Sequence, residues 1–199
     1  MTIVITPELL RKVAGAPVNK DVVAGLAKYL PAEMEKAGIN TRLRIAHFLA
    51  QIGHESDHFR TTKEYASGRE YEGRHDLGNV KAGDGVRYKG RGVIQITGRA
   101  NYDKYGKMLK LNLINKPELA ETPEVSVKTA IAYWTDHNLN ALADKDDLRG
   151  ITKKINGGYN GLNSRLAMLE NAKRAIKPVS VASVDLDDIS SKHIPSDFA

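Results

Sequence analysis

The densest group of side chains able to do chemistry lies in residues 51–58, which read Gln-Ile-Gly-His-Glu-Ser-Asp-His. The stretch from His54 to His58 matches the H-E-x-x-H pattern, in which two imidazoles one helical turn apart bind zinc and the glutamate activates the metal-bound water. This pattern fixes only three positions, and Thr61 stands where its longer form has glycine. A zinc peptidase is therefore an open alternative that the pattern alone does not favour.

Glu55 can instead serve as a general acid. It follows Phe48 and Ile52 on a predicted helix at spacings that place its carboxyl at the edge of an apolar stripe. Desolvation in such a place raises the pKa of a carboxyl group and keeps a proton available near neutral pH. A second carboxylate is needed as the base, and the next glutamate along the chain is Glu64.

The spacing of the two glutamates requires a turn between them. An unbroken helix would hold Glu55 and Glu64 about 13 Å apart, whereas inverting glycosidases hold their carboxyls only about 6.5–9.5 Å apart. The chain must then turn, beginning at residues 56–57 or 61–62. On spacing alone, a surface role explains Glu64 better, because residues 63–70 are rich in charge.

Three segments, in order along the chain, resemble motifs of glycoside hydrolase family 19, which includes the plant-type chitinases and their phage endolysin relatives. They are residues 50–56 (Ala-Gln-Ile-Gly-His-Glu-Ser), residues 88–102 (Tyr-Lys-Gly-Arg-Gly-Val-Ile-Gln-Ile-Thr-Gly-Arg-Ala-Asn-Tyr), and residues 155–158 (Ile-Asn-Gly-Gly) with a later Arg165. Three ordered motifs are more specific than any one of them. They also explain the H-E-x-x-H match as a coincidence, because the family needs the His-Glu pair and not the second histidine.

The resemblance implies a role for individual residues. Glu55 matches the general acid and Glu64 the general base, while Thr97 stands where the family uses a hydroxyl to hold the attacking water. The other matching positions would contact the sugar or tune the carboxylates, and they are His54, Tyr88, Gln95, Asn101, Asn156 and Arg165.

Each amide or charge also has a structural explanation. Gln95 alternates with isoleucines and would form the polar face of a strand, Asn156 would cap a helix, and Arg165 would pair with any surface acid. The chain also departs from the plant pattern, with Asn160 where those enzymes have a further glutamate and Ala100 in place of an aromatic sugar contact. These departures favour the compact endolysin branch.

The elements that must position these residues are mostly helices. Caps and apolar periodicity predict helices from Thr6, from 21 to 38 with a restart at Pro31, from Asn40 or Thr41, and over residues 101–109, 122–134, 147–155 and 163–176. The helix that begins at Asn40 or Thr41 is apolar nearly all round, which predicts a central position in the fold. Residues 66–92 are predicted loops, and 93–97 form the best strand candidate.

The pattern and the resemblance together predict a mainly α fold of the α+β, lysozyme-like type, with a helical body, a small β or loop lobe and a cleft between them. Residues 1–177 are expected to form a single catalytic domain, and residues 178–199 a loosely attached tail.

Composition excludes several classes of protein. The 199-residue chain has no cysteine, which removes disulfides, thiolate zinc sites and cysteine nucleophiles. It has no apolar run of 18 residues, so no membrane insertion is expected. The net charge is +6, and basic residues are dense from Arg87 to Lys110, which favours an anionic partner. No nucleic-acid motif accompanies that charge, so we expect no nucleic-acid partner.

The predicted activity is inverting hydrolysis of a β-1,4 bond next to an N-acetylated sugar, with no metal and no cofactor. The resemblance permits chitin or bacterial peptidoglycan as the substrate. The lack of a signal peptide, of cysteine and of a chitin-binding module favours a monomeric endolysin. Such a protein accumulates in the host bacterial cytoplasm until a holin opens the membrane and admits it to the wall. A non-catalytic sugar- or nucleic-acid-binding module is the other class left open.

Overall fold

The computed structural model describes residues 4–176. Within this range the chain forms nine α-helices, which are α1 (Pro7–Ala14), α2 (Lys20–Lys36), α3 (Arg42–Glu55), α4 (Asp84–Arg87), α5 (Arg99–Leu109), α6 (Pro123–Asp136), α7 (Leu139–Ala143), α8 (Leu148–Asn156) and α9 (Leu162–Ala175). Three short 3-10 helices lie at Arg69–Tyr71, His75–Leu77 and Pro117–Glu121. The mainly helical prediction is confirmed.

Helix α3 is the centre of the body. Every residue from Ile45 to Gly53 is buried, as expected for a helix that is apolar nearly all round. It packs against α9, and α1 contacts both of these helices, while α2 packs against α6. Phe48 of α3 meets Trp134 of α6 edge to face at 5.2 Å between ring centroids. Glu55, the last residue of α3, is thus carried by the most deeply buried helix.

The predicted N-terminal caps of α1 and α3 are confirmed. The hydroxyl of Thr6 accepts a hydrogen bond from the Leu9 amide at 3.0 Å, and that of Thr41 accepts one from the Arg44 amide at 3.3 Å. The expected restart at Pro31 is wrong, because α2 continues through this exposed proline. A proline removes only one backbone hydrogen bond, and the buried stripe of α2 continues on both sides of it.

The predicted strand at residues 93–97 is wrong, because residues 92–95 form a turn. The β pairing within residues 4–176 consists of two isolated bridges, Lys63–Arg91 and Arg91–Ile96. Gln95 has φ of 54°, a left-handed backbone that folds the segment back on itself. Val93 and Ile94 are both buried, and a turn can bury consecutive residues whereas a strand alternates them between its two faces.

The lobe formed by residues 61–98 is held together by carboxylates, with little regular structure. Glu72 accepts the amides of Gly83 and Gly85 at 2.7 and 2.9 Å. Asp84, which is almost fully buried, accepts two backbone amides and the Nε of Arg99. The hydrogen bond from Arg99 is the main reason that the pKa of Asp84 is lowered. Charge-assisted hydrogen bonds therefore hold this lobe, which the sequence predicted as a small β or loop lobe.

The basic residues between Arg87 and Lys110 do not form one free cationic face. Four of them are paired with carboxylates, as Arg91–Glu121, Arg99–Asp84, Lys104–Asp136 and Lys107–Asp103. The density of positive charge along the sequence therefore overstates the charge that this part of the surface offers to a partner.

Among residues 4–176, no helix combines the length and the apolar composition that crossing a bilayer requires. The predicted tail, residues 178–199, lies outside the described residues.

Candidate active site

The chain turns sharply after Glu55. Asp57, His58 and Phe59 all adopt left-handed backbones, with φ of 50°, 59° and 58°. Each such residue costs about 1–2 kcal/mol. Burial of the Phe59 ring and a hydrogen bond from its amide to the Ser56 hydroxyl at 3.2 Å offset this cost. The turn predicted at residues 56–57 is thus confirmed, and it separates the two candidate carboxylates.

This turn does not fit the zinc interpretation. Helix α3 ends at Glu55, so His54 and His58 do not share one face of an unbroken helix as the H-E-x-x-H motif requires. Nδ1 of His58 contacts the Ala14 carbonyl at 2.9 Å, and Nδ1 of His54 contacts the Ser164 hydroxyl at 3.0 Å. Residues 4–176 contain no group of three or more histidine, aspartate or glutamate side chains placed to hold a metal ion.

Glu55 is paired with Arg165 of α9. One Nη of Arg165 donates to Glu55 Oε1, and the other donates to Gln51 Oε1. The Arg165 side chain is 1% exposed and that of Glu55 is 18% exposed, so the carboxyl can reach a substrate while the guanidinium cannot. The expectation that Glu55 sits at an apolar edge is incomplete, because a buried guanidinium is its immediate partner. Arg165 does not pair with a surface acid.

His54 is a neutral packing residue beside this pair. Burial, followed by the positive charge of Arg165, lowers the pKa of His54 from 6.5 to about 4. Its ring lies against Gly161, where an added Cβ would be only 2.2 Å from the imidazole Cε1. His54 therefore positions the connection between α8 and α9.

Glu64 is held by two donors from the loop lobe. The Tyr71 hydroxyl donates to its Oε1 at 2.7 Å, and the Gly90 amide donates to its Oε2 at 2.9 Å. Burial and the hydrogen bond to Glu64 raise the pKa of Tyr71 well above its ordinary value, so Tyr71 keeps the proton that it donates. Glu64 is half-buried and fixed by these bonds, and the surface interpretation does not explain them.

Thr97, Gln95 and Asn101 form one hydrogen-bonded group beside Glu64. The Thr97 hydroxyl donates to the Gln95 carbonyl at 3.0 Å, and Asn101 Nδ2 donates to the Thr97 carbonyl at 2.8 Å. A Cβ on Gly90 would lie 2.7 Å from Gln95 Oε1 and 3.1 Å from Glu64 Oε2, so both side chains flank that glycine. The structure thus brings these four predicted residues together.

Two other predicted contacts serve the structure of the protein. Tyr88 is 1% exposed, and its hydroxyl donates to the Ile114 carbonyl at 3.1 Å, so the expectation that it contacts a sugar is wrong. Asn156 is the exposed last residue of α8, and its Oδ1 accepts the Asn160 amide at 3.2 Å. It braces the loop that follows α8.

The sequence did not single out Gln51, Tyr71 and Tyr133. Gln51 stands one helical turn before Glu55, and this spacing was a usable signal. No local sequence pattern indicates that Tyr71 binds Glu64, because the fold of the lobe brings the two side chains together. Burial, followed by the negative charge of Glu55, raises the pKa of Tyr133 to about 12. Its hydroxyl donates to the Lys154 carbonyl at 3.0 Å and joins α6 to α8 beside the site.

Comparison with known proteins places this geometry in a family. Residues 20–150 match the model of glycoside hydrolase family 19, described as class I chitinase. A glycosyl hydrolase family 19 domain-containing protein of Haemophilus influenzae is 34% identical, in an alignment that covers 72% of this chain and 85% of that protein. The chain belongs to glycoside hydrolase family 19. It is therefore a glycoside hydrolase.

Plant members of family 19 match a smaller part of the chain. An endochitinase of Arabidopsis thaliana is 37% identical over 61% of this chain and 41% of its own length. The chain spans about two fifths of the length of the plant endochitinases that it matches.

Solved structures of the family share the fold. Chitinase C of Streptomyces griseus superposes with a TM-score of 0.71 at 23% identity, covering 87% of this chain and 93% of that one. A class IV chitinase of Zea mays gives a TM-score of 0.66 at 20% identity, covering 87% and 92%. The predicted lysozyme-like fold is confirmed.

Proposed function

We propose that this family 19 hydrolase cleaves β-1,4-glycosidic bonds of bacterial peptidoglycan with inversion of configuration. The observation that carries the proposal is the pair of half-buried glutamates with different surroundings. Glu55 is held on the helical body by Arg165, and Glu64 is held on the loop lobe by Tyr71 and Gly90. An acid and a base on two separate parts of the protein can act on opposite faces of one sugar ring.

Glu55 is the proton donor in this mechanism. Its Oε1 is occupied by Arg165, so Oε2 is the oxygen that carries the proton to the glycosidic oxygen. As the bond from this oxygen to the anomeric carbon breaks, the leaving sugar takes that proton and departs as an alcohol.

Glu64 and Thr97 act on the water that replaces the leaving sugar. The carboxylate of Glu64 accepts one proton from the water as its oxygen bonds to the anomeric carbon. The Thr97 hydroxyl has already donated its only proton to the Gln95 carbonyl, so it can act only as an acceptor for the second hydrogen of the water. This orientation leaves a lone pair of the water directed at the sugar.

The choice of peptidoglycan is supported by the compact, cysteine-free chain with its positive net charge. In this proposal the protein leaves the host bacterial cytoplasm when a holin opens the membrane, and it then acts on the cell wall as a monomer. Chitin is the second candidate substrate. The family description and the names of the plant relatives favour it.

A direct comparison of substrates tests the proposal. We expect reducing ends to be released faster from purified peptidoglycan than from chitin oligomers at equal N-acetylhexosamine concentration. Mass analysis after borohydride reduction identifies the sugar that carries each new reducing end. The Glu55→Gln variant measures background release. A higher rate on chitin oligomers would establish the chitinase alternative instead.

A further inference from the structure

The loop between α8 and α9 presents a large aromatic side chain to solvent. Tyr159 is 45% exposed, and the Arg149 guanidinium of α8 lies 4.3 Å from the centroid of its ring. Stacking of this kind holds an arginine that would otherwise be flexible, so less conformational entropy is lost when it binds a ligand.

This loop is anchored to the catalytic pair. The carbonyl of Asn160, the residue after Tyr159, accepts from Nε of Arg165 at 3.4 Å, and Arg165 in turn holds Glu55. Gly161 is pressed against His54. Arg149 precedes Thr152 by one helical turn, and the Thr152 hydroxyl accepts from Gln51 at 3.5 Å. The Arg149–Tyr159 pair therefore lies at the rim of the site.

The rim carries positive charge without acidic partners. Arg149, Lys153 and Lys154 take part in none of the ion pairs formed within residues 4–176, and all three are exposed. This differs from the stretch between Arg87 and Lys110, where four basic residues are neutralised. No acidic side chain within residues 4–176 therefore neutralises these three cations of α8.

We propose that Arg149 and Tyr159 form a subsite that selects N-acetylated glycans bearing carboxylates. The Tyr159 ring offers a rigid amphipathic surface for a sugar, and Arg149 presents hydrogen-bond donors and charge to a carboxylate beside that sugar. Chitin is uncharged, whereas the lactyl-linked peptides of peptidoglycan carry carboxylates. This inference rests on the proposed function, because it explains how the same site would prefer peptidoglycan.

The test uses one glycan in two charge states. Soluble peptidoglycan fragments are assayed as they are and after their carboxylates have been converted to amides with a carbodiimide and ammonia. Arg149→Gln is compared with Arg149→Lys and with the control Arg174→Gln. Arg174 is also exposed and without an ion pair within residues 4–176, and it lies about 13 Å along α9 from Arg165.

We expect Arg149→Gln to raise KM about threefold on the carboxylate form with kcat unchanged. An exposed ion pair contributes about this much, and it would bind the substrate and the transition state equally. The amidated form should show no such rise, Arg149→Lys should recover part of the loss, and Arg174→Gln should match the wild type on both. Tyr159→Ala should raise KM about fivefold on both forms, because it removes the surface and not only the charge.

Three results would overturn the inference. Equal effects of Arg149→Gln on the charged and amidated forms, with peptidoglycan still cleaved, would reject the subsite and leave the proposed function standing. An equal effect of Arg174→Gln would show that general surface charge explains the preference. Wild-type protein that cleaves chitin oligomers but neither form of peptidoglycan would reject the proposed function, and the inference with it.

Discussion

At the scale of single residues, Glu55 and Glu64 differ in what surrounds them more than in how exposed they are. Glu55 faces the buried guanidinium of Arg165, whereas Glu64 receives hydrogen bonds from a tyrosine hydroxyl and a backbone amide. The two carboxyls thus have different hydrogen-bond partners, in keeping with the different roles proposed for them.

Replacing either carboxyl with an amide should remove one half of the proton transfer. We expect Glu55→Gln and Glu64→Gln each to lower kcat by about 10²–10⁴, with the helical circular dichroism signal preserved. Glu70→Gln, an exposed glutamate in the same lobe, is the matched control and should keep wild-type kcat. Wild-type turnover by Glu55→Gln would show that the assignment of the acid is wrong.

His54 should make the protein sensitive to acid. Its pKa is about 4 in the folded protein and 6.5 ordinarily, so between these values the unfolded chain binds the proton that the folded protein rejects. The free energy of unfolding therefore falls as the pH is lowered from 7 to 4, by up to about 3 kcal/mol from this group. In urea denaturation over this range, His54→Asn should lose less stability than the wild type.

The control for this prediction keeps the imidazole buried. Ser164→Ala removes the hydrogen bond to Nδ1 but leaves burial, which is the main cause of the lowered pKa. This variant should keep the steep pH dependence. His47, whose pKa is also lowered by burial, is present in all three proteins. Parallel pH profiles for His54→Asn and the wild type would contradict the assignment.

At the scale of elements, the connection between α8 and α9 contacts both Arg165 and His54 beside the candidate acid Glu55. Two glycines in it have left-handed backbones, Gly157 with φ of 76° and Gly161 with φ of 70°. A Cβ at Gly157 would meet nothing within 4 Å, whereas one at Gly161 would overlap the His54 ring. An alanine at Gly157 would therefore introduce backbone strain alone, whereas an alanine at Gly161 would add a steric clash.

We expect Gly157→Ala to lower the free energy of unfolding by about 1–2 kcal/mol, which is the cost of a left-handed alanine, with kcat unchanged. Gly161→Ala should be more destabilising. It should also lower kcat, because the clash moves the Asn160 carbonyl away from Arg165. Thermal denaturation and single-substrate kinetics measure both effects. Equal kinetics for the two variants would show that this loop does not support the catalytic pair.

At the scale of the whole molecule, the two proposed catalytic groups belong to different parts of the fold. Glu55, Gln51 and Arg165 lie on packed helices, while Glu64 and Thr97 lie in a lobe held by carboxylate hydrogen bonds. In the proposed mechanism, a substrate between body and lobe would meet the acid on one face and the water on the other. Inversion is the expected outcome of the proposed mechanism because Glu64 acts on a water and forms no bond to the sugar itself.

The first product should therefore have the α configuration at its new reducing end. Proton NMR of the anomeric region, recorded within minutes at high enzyme concentration and before mutarotation, distinguishes the two anomers. A control incubation of the product without enzyme gives the rate of mutarotation. An initial β-anomer would mean retention, and Glu64 would then have to act other than as a base on water.

Helix caps and the central position of α3 could be predicted from sequence because they depend on nearby residues. Thr6 and Thr41 bond to amides three residues away, and apolar side chains all round α3 leave it only a buried position. The strand at 93–97 was predicted wrongly because alternation of Gln95 with isoleucines resembles a strand. Gln95 instead has a left-handed backbone, and both its amide and its side-chain Nε2 donate to the Gly92 carbonyl.

Sequence by itself determined the family and the order of the motifs, and it singled out Glu55 as the candidate acid, because these depend on residue types at fixed spacings. Only the tertiary structure decided what each residue contacts. Arg165 reaches Glu55 across 110 residues because α9 packs on α3. Glu64 gains Tyr71 and Gly90 as donors because the lobe folds around it. Such contacts depend on the packing of distant segments, and no local pattern encodes that packing.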